Sequence, residues 1–529
     1  MFKLLPLPTC LVTPPTWPKC HETVFVLLGL LVICQFGCKK SETVERTPIQ
    51  VADFNAESIR PKVVAFCGDC HGMPDPTSFP RRAWYDEVQQ GYSFYWDSGR
   101  KDLAAPPLGE VVSFFQSQAP EEIARRPTHQ EHPTKLFDME YSQAVFPPSL
   151  SFPGVSYIRW QPQSGKAPTI LFCDMAVGNL RRIEFSQESP RHGLQTTLMS
   201  NIPHPAHVEP CDLDADGITD YLVAELGSFL PEDHERGKVL WLRTSSEFAT
   251  FETHVLAEGL GRVADARPAD FDGDGDLDIV VGEFGWRKSG RVLMLDQVEV
   301  KNGIPKFDLR VLDPRHGAIH TEISDIDNDG WLDFVTLFGQ EHESVVAFLN
   351  QGNGEFEIET IFAAQDPSFG SSGIQLVDWD GDGDQDVLHT NGDTLDSRHL
   401  KSSHAVRWLE NQGTFPFTEH VLAYLPGAMR ALATDMDRDG DLDVVATAFM
   451  PGILQKQLEG QFDSLVWLEQ TSEHNIVRHC IEHSLPGHMA MEVGDFDGDG
   501  NIDIITGSFD KGADSTTPWF KIWWGNDAN

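Results

Sequence analysis

From about residue 150 onward, apolar residues come in short runs separated by Gly, Asp, Asn and Pro. Ile279-Val280-Val281 and Ile504-Ile505 are such runs, and their length and turn-rich flanks predict strands. Around the first run the pattern predicts four strands, over residues 266–270, 278–283, 291–295 and 307–312. An earlier set of four is predicted over 157–160, 169–173, 180–185 and 196–199. The last run, 520–524, has the place of a third strand with no fourth behind it. Residues 136–140 are expected to supply that fourth strand, because an open ring of sheets leaves strand edges exposed.

Ahead of residue 120 the period changes. Residues 57–66, 80–90 and 108–118 carry apolar side chains at helical spacing, with Trp84 and Val88 on one face and Val111, Val112, Phe114 and Phe115 on another. Residues 121–135, rich in Pro, Glu, Arg and His, read as a linker. Near the N-terminus, residues 24–36 form an apolar run shorter than the about 20 residues a spanning helix needs. With Lys3 and Lys19 before it, the run has the character of a signal-peptide core, so residues 1–38 are expected to direct export to the periplasm or cell surface. The stretch Gln35-Phe36-Gly37-Cys38 resembles a lipoprotein cleavage box, with Gln35 where an aliphatic residue is usual. Lipid at Cys38 would be the chain's membrane anchor; a plain signal peptide or an uncleaved anchor is the alternative.

The strands are punctuated by a repeat, Asp-x-Asp-x-Asp-Gly-x-x-Asp. It occurs at Asp212, Asp214, Asp216 and Asp220, then at Asp270, Asp272, Asp274 and Asp278, then at Asp325, Asp327, Asp329 and Asp333. It recurs at Asp378, Asp380, Asp382 and Asp386, at Asp435, Asp437, Asp439 and Asp443, and at Asp495, Asp497, Asp499 and Asp503. The intervals between first aspartates are 58, 55, 53, 57 and 60 residues. Carboxylates at alternate positions of a tight loop point at one centre, and hard oxygen donors suit Ca²⁺. Gly at position six permits the turn. An EF-hand would end in Glu at position twelve between helices; here Asp stands at position nine between strands. Six calcium loops are therefore expected, in a structural role.

One further motif carries chemistry. Cys67-Gly68-Asp69-Cys70-His71 has the spacing of c-type haem attachment: two thiols for the vinyl groups and a histidine for the iron. A redox CxxC pair or half a zinc site is the alternative, as is a haem-lacking relic. A sixth iron ligand is not evident. Met73 lies too near His71, while His129, His132 and Met139 fall at or beyond the linker.

The fold expected is an all-β seven-bladed β-propeller over residues 136–527, with six calcium-loop blades and one degenerate first blade. A small α-helical cytochrome c-like segment over 55–120 precedes it. The Asp repeats resemble the FG-GAP/VCBS family, whose members include the integrin α head. That resemblance implies a propeller with Ca²⁺ in its strand-connecting loops and implies no particular activity. The whole arrangement resembles exported lipoproteins of planctomycete-type bacteria.

Counting back from each first Asp gives a polar set. Five residues back stand His207, Asp265, His320, Gly373, Arg430 and Ala490. Three back stand Glu209, Arg267, Glu322, Gln375, Leu432 and Glu492. Period-two alternation sends one set between blades and the other toward the central channel, on the face opposite the Asp loops. The connections on that face add His234, Arg287, Lys288, His342, Arg398, His399 and Lys401. His207, Glu209, Asp265, Arg267, His320, Glu322, Arg430 and Glu492 are the candidate ligand-binding ring; a solvated channel with compensating charges is the alternative.

The formal net charge is −41, which excludes a nucleic-acid partner and fits many bound cations. Neither a nucleophile–base pair nor a phosphate loop is readable. Three functions remain open: an electron-transfer protein carrying one haem c with a redox partner, a calcium-stabilised surface-binding module, or a dehydrogenase using the channel mouth.

Overall fold

The computed structural model describes residues 54–124, 137–140, 152–161, 168–186, 191, 194–245, 250–395, 397–452, 454, 462–472, 475–483, 487–509 and 518–526. The expected export signal, Cys38, and His129 and His132 of the linker lie outside the described residues.

Three helices form first. Helix α1 (Ala56–Cys67) is capped by Asn55, whose side chain accepts from Glu57 N at 3.1 Å. Helix α2 (Trp84–Asp97) starts four residues later than the apolar pattern predicts, because residues 81–83 are taken up in a turn after Pro80. It also runs seven residues further. Tyr92 and Tyr95 hold that extension by donating to the carbonyls of Pro106 at 2.6 Å and Leu103 at 3.3 Å. Helix α3 (Leu108–Gln118) spans the predicted range. Trp84 stacks on Phe115 with centroids 4.1 Å apart, which locks α2 to α3.

The rest is a seven-bladed β-propeller. Seven four-stranded antiparallel sheets follow one another along the chain. Their first strands are Val155–Gln161, Pro205–Cys211, Val263–Ala269, Ala318–Ser324, Ser371–Val377, Ala428–Thr434 and His488–Gly494. Each touches the next, and the last touches the first, so these strands line the axis. The ring closes where Phe137–Glu140 pairs with Phe520–Gly525, Met139 opposite Trp523. Met139 thus sits in the strand that closes the propeller.

In every blade the second strand is buried along its whole length. Adjacent blades cover both of its faces, which explains runs such as Ile279-Val280-Val281 that do not alternate. The blade interfaces are aromatic and aliphatic. Phe334 stacks on Phe348 at 4.4 Å within one blade, and Phe271 of the preceding blade meets Phe334 edge-on at 6.0 Å. At the closure, Phe172 packs on Phe520 at 4.5 Å. Cys173, Cys211 and Cys480 are free thiols within this core, and no helix among the described residues is long and apolar enough to cross a membrane.

One regular feature is absent from the sequence pattern. The pairing of first and second strands slips at the same point in all seven blades, as between Pro205 and His207 or Val263 and Asp265. Such bulges bend a strand and re-aim a side chain. The residue just after the bulge is Tyr157 in the first blade, then His207, Asp265, His320, Gly373, Arg430 and Ala490.

Candidate functional site

The six Asp loops join first to second strands at one end of the propeller. The position-six glycines, Gly217 through Gly500, all have φ between +83° and +100°, and position four is also left-handed, at +56° to +79°. Three of those position-four residues are Ala215, Asn328 and Arg438; Asn tolerates this conformation, whereas Ala215 and Arg438 resist it and have it imposed by the loop. In five loops the first Asp accepts bonds from two loop amides at 2.7–3.1 Å.

Ligating oxygens of Asp212, Asp214 and Asp216 lie within 4.8 Å of one another, as do those of Asp270, Asp272 and Asp274, and of Asp325, Asp327 and Asp333. Oxygen donors alone in a compact loop could hold a hard divalent cation. The ninth Asp does more. Oδ1 of Asp220, Asp278, Asp333, Asp386, Asp443 and Asp503 accepts an amide in or just beyond the third strand, at 2.7–2.8 Å. In four of them Oδ2 also accepts the amide of loop position two, at 2.8–3.2 Å. These carboxylates stitch the loop to the sheet. Burial, with the neighbouring Asp charges, pushes Asp278, Asp333, Asp386 and Asp443 up to about 6 and Asp503 to about 7. In two loops an arginine approaches the carboxylates: Arg243 pairs with Asp214 at 2.6 Å, and Arg191 with Asp497 and Asp499 at 2.5 and 2.8 Å.

On the axis, most of the polar set converges. His207 bonds Glu209 at 3.1 Å and, through Nδ1, Asp265. Arg267 donates to Asp265 at 3.1 Å and to both oxygens of Glu322 at 3.2 Å. Asp265 also accepts Thr321 N at 2.9 Å. These charges are interlocked across three blades, and Asp265 is 0% exposed. The network is therefore compensated, like the solvated-channel alternative, but buried rather than wet. Glu492 turns aside to accept Trp160 N at 3.1 Å, and Arg430 donates to Ile374 O at 3.2 Å. The first blade joins in through two residues the repeat count could not reach. Arg159 donates to Glu209 at 3.0 Å, and Tyr157 stacks on His207 at 4.2 Å. Lacking an Asp loop, that blade offers nothing to count back from.

Three histidines of the propeller are kept neutral. Burial pushes His320 and His389 down to about 3, and His404 well below its usual value; Arg430 adds to the shift at His320. The unfolded chain takes up these protons below about 6.5 and the folded chain refuses them, so stability is present above pH 6.5 and lost as pH falls toward 3. Urea unfolding with Ca²⁺ in excess is expected to show stability declining from pH 7 to pH 5, by up to about 1.4 kcal/mol per pH unit per histidine. A flat profile over that range would contradict neutral burial.

Opposite the Asp loops, the helical segment lies over the channel mouth, with a half-open cavity of about 1780 Å³ between the two. Cys67, Cys70 and His71 line it, backed by Phe66, Trp84, Tyr92, Tyr95 and Phe115. Its other wall is the propeller, including His320, Arg430, Glu343 and Lys401. Cys67 ends α1, and burial pushes its thiol up to about 11. Arg100 contacts Cys70 Sγ at 3.1 Å and Asp69 at 2.6 Å. His71 Nδ1 lies 2.7 Å from Gly72 O, so Nδ1 donates and Nε2 keeps its lone pair. The two parts are joined by Ser78 to Asp366, by Arg287 stacked 3.5 Å over Phe94, and by Lys401 5.2 Å over Phe79. Burial lowers the Lys401 ammonium, opposed by the charges of Asp366, Glu343, Asp393 and Glu87. Of the other connection residues, His399 meets Phe79 edge-on, and His234 bonds Ser228 at 2.9 Å.

These features define a seven-bladed propeller with acidic hairpin loops at one end and a covered cavity at the other, the architecture of a binding module. The repeats themselves are FG-GAP-like: the profile described as the FG-GAP-like repeat matches residues 212–281 and 325–389. No curated protein matches the chain.

Proposed function

We propose that the protein is an exported haem c carrier in which the helical segment holds one haem against the mouth of a calcium-stabilised propeller, and the propeller binds the redox partner or substrate. The observation that carries this reading is that Cys67, Cys70 and His71 line the same cavity as the propeller mouth. The residues present fit the group. Two thiols and an imidazole with a free Nε2 open into a space walled by aromatic rings, with Arg100, Arg287, Lys288 and Arg398 on its lining as partners for carboxylates. A bound haem would supply one-electron transfer. The chain's own part is to exclude water with Trp84, Phe115 and Tyr95, and to orient His71 through Gly72 O. Among the described residues of the helical segment lining the cavity, His71 is the one imidazole and there is no methionine. The Asp loops would hold Ca²⁺ on the far side; loops two to five, free of the arginine pairs seen in the first and sixth, fit it best.

Protein produced with c-type maturation machinery is expected to give a pyridine haemochrome spectrum at one haem per chain, lost in Cys67→Ser/Cys70→Ser. A wild-type preparation with zero haem removes this reading. It would leave the simpler one, favoured by the FG-GAP-like repeats themselves, of a binding module capped by a helical lid.

A further inference from the structure

Three side chains of the fourth blade converge on the cavity side of the propeller, and neither the axial network nor the CxxCH motif uses them. His316 stands in the turn before the first strand, Ala318–Ser324. Glu341 and His342 stand in the hairpin between Asp333–Phe338 and Ser344–Asn350. Each offers a ligating atom within 4.8 Å of the other two. His316 Nε2 lies 3.1 Å from Glu341 Oε2, and the two imidazole rings are 5.0 Å apart, centroid to centroid. His342 Nε2 is shut off from solvent and has no hydrogen-bond partner. The two turns are tied together by Gly339 N, which donates to Gly317 O at 2.8 Å. Arg315, whose charge bears on His342, is paired with Asp313 at 2.6 Å, and the Asp313 carboxylate acts in the opposite sense at the same imidazole.

We propose that His316, Glu341 and His342 form a binding site for one divalent metal ion of the zinc class. Two imidazoles with one carboxylate suit Zn²⁺, whose bonds of about 2.0–2.2 Å at tetrahedral angles place neighbouring donors about 3.3–3.6 Å apart. The observed 3.1 Å between His316 and Glu341 needs only a small opening to reach that spacing. The orphaned His342 nitrogen gains the partner its burial otherwise denies it. Three protein donors leave a fourth position, as in zinc sites that take water or a substrate oxygen. Glu341, with Gly339 and Gln340, lines the cavity, so that position is within reach of a hydroxyl, carboxylate or water oxygen held there. The Asp loops are all oxygen and the new site is nitrogen-rich, so the two would select different metals. The inference does not depend on haem attachment.

The test is a Zn²⁺ titration of the full chain by calorimetry, with Ca²⁺ in excess to occupy the Asp loops. Wild type and Cys67→Ser/Cys70→Ser are both titrated, since free thiols at the CxxCH motif would add a site of their own. One equivalent of Zn²⁺ is expected to remain in the thiol variant. In that background His342→Ala and Glu341→Gln are each expected to weaken it about tenfold or more, with an unchanged melting curve. Glu341→Gln keeps an acceptor for His316 and so guards against loss of fold. The proposal is overturned if the thiol variant binds no Zn²⁺, or if its equivalent is unchanged in Glu341→Gln and His342→Ala.

Discussion

Removing divalent cations with EGTA is expected to lower the melting temperature of the full chain by on the order of 10 °C, and re-adding Ca²⁺ to restore it. A ligand that binds only the folded state stabilises by about 2.7 kcal/mol per site at a hundred times its dissociation constant. Several loops of this kind act together here. Each places four or five Asp carboxylates in nine residues, and the ninth is buried where its charge is least tolerated. The upward push on Asp278, Asp333, Asp386, Asp443 and Asp503 measures that conflict, which a bound cation offsets. Asp325→Ala should reproduce part of the effect in one blade. An identical melting curve with and without EGTA, in protein stripped of metal, would sink the calcium reading.

Asp265→Ala is expected to cost about 3–5 kcal/mol in urea unfolding at saturating Ca²⁺, the loss usual when one partner leaves a buried ionic cluster. Asp265 is the hinge of the axial network: it joins His207, Arg267 and Thr321 N, and so three blades. Its carboxyl is held far below the usual range by Arg267 and His207, against the cost of burial. Without it the Arg267 guanidinium keeps only Glu322 and the more distant Glu209. Leu432 occupies the position of Arg267 in the fifth Asp-loop repeat, so an apolar axis is tolerated where no charge is left stranded. The large cost should therefore come from Asp265→Ala and shrink in a double variant that also replaces Arg267 by Met. A cost below about 1 kcal/mol for Asp265→Ala would mean that water reaches the cluster and screens it.

Where the chemistry is local and repeated, the sequence was enough. Six Asp loops at 53 to 60 residues, a helical start around CxxCH and an unpaired last strand specify seven blades and their closure. Each rests on a turn or a period set within a few residues. The ninth Asp was legible as a carboxylate but not as a stitch, because its amide partners lie 17 to 27 residues on. What only the tertiary structure decided lies further apart still. The bulge in every blade, Tyr157 and Arg159 completing the axis, the helices closing over the mouth, and His316 meeting Glu341 and His342 all join segments without a common local pattern. A sequence records which side chains alternate along a strand. It does not record how far the strand bends or what packs across from it, since those follow from fitting seven sheets and one helical cap into a shared core.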